Sequence, residues 1–114
     1  MSNLLEKKCT ACELGAPLVP DKDQIELLKD LEGWQLDKSD ISKLVKIFKF
    51  SNYLKTLNFV NLIADLAESE DHHPKITFEW GTASIEWWSH KIEGLHMNDF
   101  ICAAKSDEIY DSLN

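Results

Sequence analysis

The stretch from Ser51 to Pro74 constrains this chain more than any other. Apolar residues recur at helical spacing through Tyr53, Leu57, Val60, Ala64 and Ala67, and Leu54, Leu62, Ile63 and Leu66 widen the stripe. Ser51 stands where an N-cap is expected, and Pro74 cannot continue a helix because it lacks an N–H and crowds the preceding turn. A helix with so broad an apolar face must lie against a sheet, which makes it the main core helix. Its end carries Glu68-Ser-Glu-Asp-His-His-Pro74, and Trp87-Trp-Ser-His90 follows two strand-like runs. Three of the four histidines therefore fall between residues 68 and 90. Imidazole titrates nearest neutrality of all side chains, so this window suits the giving and taking of protons.

The flanking patterns supply the rest of the architecture. Asp21 and Gln24 have capping-box spacing, Ile25, Leu28 and Leu31 share a helical face, and Gly33 is placed as the C-cap. Trp34-Gln-Leu36 alternates as a short strand before the polar turn Asp37–Asp40. Leu44–Phe50, rich in aromatic and β-branched residues, predicts a second strand, with Lys43, Lys46 and Lys49 on its solvated side and flank. Ile76, Phe78 and Trp80 alternate with polar residues, Gly81-Thr82 makes a tight connection, and Ile85 and Trp87 alternate after it, which together predict a β-hairpin. Beyond Gly94, Asn98 or Asp99 can cap a last helix with Phe100, Ala103, Ala104 and Ile109 on its inner face. The order α-β-β-α-β-β-α predicts an α+β fold, a four-stranded antiparallel sheet with helices packed on one face. Residues 1–19 read as an N-terminal arm and 20–114 as one domain.

Composition excludes several functions. Twelve basic against twenty acidic residues leave a net charge of -8, which argues against direct contact with nucleic acid. No apolar run approaches the ~20 residues of a membrane span, and Met1–Lys8 lacks the apolar core of a signal peptide, so the cytoplasm is expected. Three cysteines, an odd number, suit a reducing compartment. Cys9-Thr-Ala-Cys12 reads as half of a zinc knuckle or a redox pair, but a structural zinc site wants four ligands and no second Cys-x-x-Cys exists, so an N-terminal arm is expected there rather than a metal site.

No Ser, Cys or Lys near the histidines has the setting of an activated nucleophile, which favours proton transfer over covalent catalysis. His72 and His73, adjacent on a helix end, would point about 100° apart and would not close on one metal ion. Glu68 could hydrogen-bond a substrate N–H or orient a histidine, or stand as a solvated helix-end carboxylate. Asp71 could orient a histidine or stabilise the loop. Asp99 reads most simply as a helix cap, and His96 reads as surface.

An acidic residue, three others, His-His-Pro, five residues, an aromatic, nine residues, His and then Asp are Glu68, His72, His73, Pro74, Trp80, His90 and Asp99. This pattern resembles the signature of the pterin-4a-carbinolamine dehydratases. Gly33-Trp34, Lys49-Phe50 and Gly94-Leu95 extend the resemblance over roughly residues 20 to 110. Two departures stand out: Ile76 occupies a position where animal members tend to carry Trp, and Ser89 replaces the commoner Thr.

The resemblance implies a hydro-lyase, a 4a-hydroxytetrahydropterin (4a-hydroxytetrahydrobiopterin) dehydratase. Such an enzyme removes water by histidine acid–base chemistry to give quinonoid dihydropterin, and so supports pterin recycling for an aromatic amino acid hydroxylase. It implies catalytic His72, His73 and His90, with His72 and His90 as the proton-transfer pair and His73 in binding and assistance. Substrate binding falls to Glu68, Asp71, His73 and Trp80, although Trp80 reads more simply as core. No metal and no cofactor beyond the pterin substrate is expected. Partners implied are a second copy or more of the chain, as homodimer or homotetramer, and the hydroxylase functionally. The alternative it implies is a protein-binding module, because some members serve as dimerisation cofactors of a homeodomain transcription factor.

Overall fold

The strand with the cleanest alternation lies inside the sheet. The computed structural model describes Leu4 and residues 18–113. It contains, in order, α1 (Asp21–Leu28), β1 (Gln35–Asp37), β2 (Lys43–Lys49), α2 (Tyr53–Glu70), β3 (Lys75–Glu79), β4 (Thr82–Trp87), a short 3-10 turn (His90–Ile92) and α3 (Met97–Ser112). The sheet order is β1-β2-β4-β3, antiparallel throughout. Ala83, Ile85 and Trp87 of β4 are fully buried, and Leu44 and Phe48 of β2 join them on the inner face. Helices α2 and α3 cover that face with Phe59, Ile63 and Ala67 from one and Phe100, Ile101, Cys102 and Ala103 from the other. The expected α+β architecture is the one found.

Several local readings shift. Helix α1 starts from Pro20, whose carbonyl takes the Asp23 and Gln24 N–H groups, and Asp21 makes no cap. Gln24 is buried instead and donates to the Val19 carbonyl, while Ile25 is exposed. Gly33 adopts the left-handed backbone expected of a terminator, but α1 has already ended at Leu28 and Gly33 closes the turns beyond it. In α2 the N-cap is Asn52 rather than Ser51: its side chain accepts the Lys55 N–H at 2.8 Å. The buried line of α2 is Thr56, Phe59, Ile63 and Ala67, with Val60 and Leu66 partly covered. Tyr53, Leu54 and Leu62 are exposed. The apolar stripe is thus turned by one residue, about 100°. Thr56 explains the phase, because its hydroxyl lies 2.9 Å from both the Asn52 and the Trp80 carbonyls and can be buried without loss.

Lys46 is not on the solvated side of β2. It shares the inner face with Leu44 and Phe48, and its ammonium reaches Asp107 of α3 at 2.8 Å and the Glu32 carbonyl at 3.0 Å. Trp34 Nε1 donates to the other Asp107 oxygen at 3.0 Å. Of the arm, Leu4 is buried in the core and Val19 donates its N–H to the Leu95 carbonyl. Leu18 crosses Gly94 so closely that a Cβ there would stand 2.7 Å from its Cδ2. The remainder of the arm, with Cys9 and Cys12, lies outside the described residues.

Partial burial pushes the Asp107 carboxyl above its ordinary value, against the hydrogen bonds from Lys46 and Trp34, which pull it down. A carboxyl raised in the folded state binds its proton more readily there than in the unfolded chain. Its contribution to stability is therefore greatest below the ordinary aspartate range and is lost as pH rises through the raised value. Urea denaturation of wild type and Asp107→Asn across mildly acidic pH should show wild type gaining on the variant as pH falls. Parallel profiles would contradict this.

Candidate active site

The site is made where three elements end or begin: the exit of α2, the exit of β4 and the first turn of α3. Helix α2 stops at Glu70, four residues before Pro74, because Asp71 takes a left-handed conformation with φ 51°. The Asp71 N–H returns to the Glu68 carbonyl and the His72 N–H to the Ala67 carbonyl, the paired bonds of a Schellman cap with Asp in the place usually held by Gly. Pro74 adds its own constraint, since the residue before a proline is driven out of the helical region. His72 and His73 consequently lie in irregular chain beyond the cap and diverge to opposite sides.

His72 turns inward. It is 5% exposed and stacks nearly parallel on Trp87, with ring centroids 5.6 Å apart. Its Nε2 lies 2.6 Å from Oδ1 of Asp99, a carboxylate with no exposed surface. The other Asp99 oxygen accepts the Ser89 hydroxyl at 2.8 Å and the His96 N–H at 2.9 Å. His73 turns outward, and its Nε2 meets Glu68 Oε2 at 2.5 Å. His90 Nε2 donates to the His73 carbonyl at 3.2 Å, and its ring leans on Trp88 at 4.3 Å, with Lys43 Nζ 4.8 Å from the centroid of the same indole.

Each imidazole thus has Nε2 engaged with a group that can only accept: a carboxylate, a carboxylate and a carbonyl. In the neutral rings that assigns the proton to Nε2 and leaves a lone pair on Nδ1. The buried His72 leaves no orphaned ring nitrogen, since Gln24 Oε1 is the one such atom among the described side chains that are not exposed, and His73 and His90 are themselves exposed residues.

The structure brings together Glu68, His72, His73 and His90. Asp71 stands beside them through its backbone, with its exposed side chain in no hydrogen bond. Trp80 does not join them. It occupies the hairpin turn between β3 and β4, 64% exposed, with the whole of β3 between it and the histidines, about 16 Å of strand. Within one chain, Trp80 at the hairpin tip therefore lies apart from the histidines at the hairpin's open end. Asp99 proves to be both a cap and the partner of His72. His96, read as surface, is 8% exposed and caps α3. Its three-residue spacing to Asp99 was the available signal, obscured because histidine is an unusual cap. Among the described residues no group of three His, Cys, Asp or Glu is placed to hold a metal ion, and no helix is long and apolar enough to cross a membrane.

The family model described as pterin 4 alpha carbinolamine dehydratase matches residues 17–109. The chain belongs to that family. A protein of Marinobacter nauticus named "Putative pterin-4-alpha-carbinolamine dehydratase" is 50% identical over 111 residues, covering 96% of this chain and 100% of its own. A protein of Chlorobium luteolum with the same name is 42% identical over 114 residues, covering 99% and 100%. Among solved structures, a transcriptional coactivator/pterin dehydratase from Brucella melitensis superposes with a TM-score of 0.77 at 25% identity, covering 82% of this chain and 98% of that one. A pterin dehydratase-like protein identified as a RuBisCO assembly factor in the alpha-carboxysome gives a TM-score of 0.60 at 25% identity, covering 69% and 90%.

The left-handed Asp71 gives this carbinolamine dehydratase family member a testable backbone constraint. Asp71→Gly should hold or raise stability, because Gly adopts that region freely, whereas Asp71→Val should lower it by about 1–2 kcal/mol. Urea denaturation of both variants measures the difference. Equal stability of the two would remove the constraint.

Proposed function

We propose that the chain dehydrates 4a-hydroxytetrahydropterin to quinonoid dihydropterin, with the chain's own histidines carrying the protons. The observation that supports this most is that three imidazoles at the junction of α2, β4 and α3 are each anchored through Nε2 to an acceptor. The reaction requires a proton delivered to the C4a hydroxyl and a proton removed from N5. The C4a–O bond breaks, its electron pair leaves with water, and the N5–H electrons form the C4a=N5 double bond. Of His72 and His90, one enters as the imidazolium and gives its proton to the leaving hydroxyl, the other enters neutral and takes the N5 proton, and each positioned transfer contributes about 10²–10⁴-fold. His73, braced by Glu68, holds the pterin ring. Asp71 acts by directing the two adjacent histidines apart. The reaction is metal-free, and it serves pterin recycling after an aromatic amino acid hydroxylase in the cytoplasm.

The decisive experiment is a dehydration assay with freshly generated 4a-hydroxytetrahydropterin, run with and without chelator. His72→Ala and His90→Ala should each lower kcat by at least ~10²-fold, while His73→Ala should chiefly raise KM. The double variant His72→Ala/His90→Ala should fall little below the worse single one, because groups acting as a unit are not additive. Folded variants with near-normal kcat would end the assignment, and activity lost to EDTA and restored by zinc would end the metal-free mechanism.

The proposal extends to assembly. Tyr53, Leu54 and Leu62 are exposed apolar side chains on α2, and β1 and β3 are the outer strands of the sheet. Exposed apolar surface and open strand edges favour association, here as a homodimer or homotetramer. Light scattering at micromolar concentration should give at least the dimer mass, and Leu54→Glu should lower it. A monomer mass for wild type would refute this.

A further inference from the structure

The fourth histidine carries an inference of its own. His96 is the N-cap of α3, a position where Ser, Thr, Asp and Asn are the usual residues. Its Nδ1 accepts the Asn98 N–H at 3.0 Å, and its own N–H is accepted by Asp99 Oδ2 at 2.9 Å, so the two residues cap each other reciprocally. Asp99 through its other oxygen holds His72 Nε2 at 2.6 Å. One carboxylate therefore joins the start of α3 to a buried ring of the site. We infer that His96 is a positioning residue for His72, acting through the α3 cap and Asp99, and that it acts only while its Nδ1 is unprotonated. The inference rests on the proposed role of His72 in proton transfer.

The physical reason lies in what Nδ1 must do. A backbone N–H needs an acceptor, and a protonated imidazole has none to offer. Protonation would also place a positive charge at the positive end of the α3 dipole. Both effects loosen the first turn of α3, which is the turn that carries Asp99. Around the ring, Asp23 and Glu26 of α1 line the same cavity of about 440 Å³ as His96 and Met97, Asp99 lies on its α3 side, and His72 stands beyond Asp99. A serine cap would hold the turn at any pH. A histidine cap makes the geometry of His72 depend on a second proton.

Two arms test this, and the first needs no turnover. In wild-type protein labelled with ¹⁵N, long-range histidine spectra at neutral pH should show His96 as the Nε2–H tautomer. On acidification the Asn98 amide and the His72 ring signals should move together with the titration of His96. An Nδ1–H tautomer, or His96 titrating while Asn98 and His72 stay still, would overturn the inference. The second arm is kinetic. His96→Ala should lower kcat for dehydration about tenfold with KM changed less than about twofold, as expected for a misaligned group rather than a lost contact. His96→Ser and His96→Asn, which restore a side-chain acceptor, should recover kcat to within about twofold. A folded alanine variant with wild-type kcat and unshifted His72 signals would overturn it, as would failure of both rescues. Should the chain prove not to be a dehydratase, the spectra still decide the positioning claim separately.

Discussion

A single carboxylate with no exposed surface, Asp99, is the interaction on which the site depends. It collects an imidazole N–H from the end of α2, a hydroxyl from the end of β4 and a backbone N–H from the start of α3. Burying an unpaired charge would cost several kcal/mol, so each donor is required by the others. The location is also favoured electrostatically, because Asp99 lies in the first turn of α3, where the helix dipole stabilises negative charge. Hydrogen bonds to a charged acceptor are worth about 1.5–3 kcal/mol each, so three of them hold Asp99 firmly. His72 inherits that rigidity.

Much of this was readable before any coordinates. Periodicity placed every helix and strand of the domain, because each buries one face and the alternation on β4 is unbroken. The family signature likewise marked Glu68, His72, His73, His90 and Asp99. What periodicity could not supply was phase and partnership. The stripe on α2 was misjudged by one residue because Thr56, polar by type, is buried through its hydroxyl bonds, while Leu54 is apolar and exposed. Lys46 was assigned to solvent because a lysine on an inner face becomes intelligible only once Asp107, sixty-one residues away, is seen to meet it. Signature spacing names Trp80 together with the histidines, but spacing along a hairpin does not say which end of it a residue occupies.

The divergence of His72 and His73 shows how a backbone detail sets chemistry. With α2 continued through them, both rings would lie on the helix surface and neither would be buried. The left-handed Asp71 ends the helix early and swings one ring against Trp87 and the other toward Glu68. Two identical side chains thereby receive different surroundings, one buried and stacked on Trp87, one solvent-facing and hydrogen-bonded to Glu68.

The strand order β1-β2-β4-β3 has a kinetic side. The pairing of β2 with β4 joins segments separated by the whole of α2 and β3, so it must wait for a long loop to close. Ser89 and His90 follow directly from β4, and His96 and Asp99 follow them, so the carboxylate cannot gather its donors until that central pairing is in place. The site is then among the last features to form, completed only after the central strands have met.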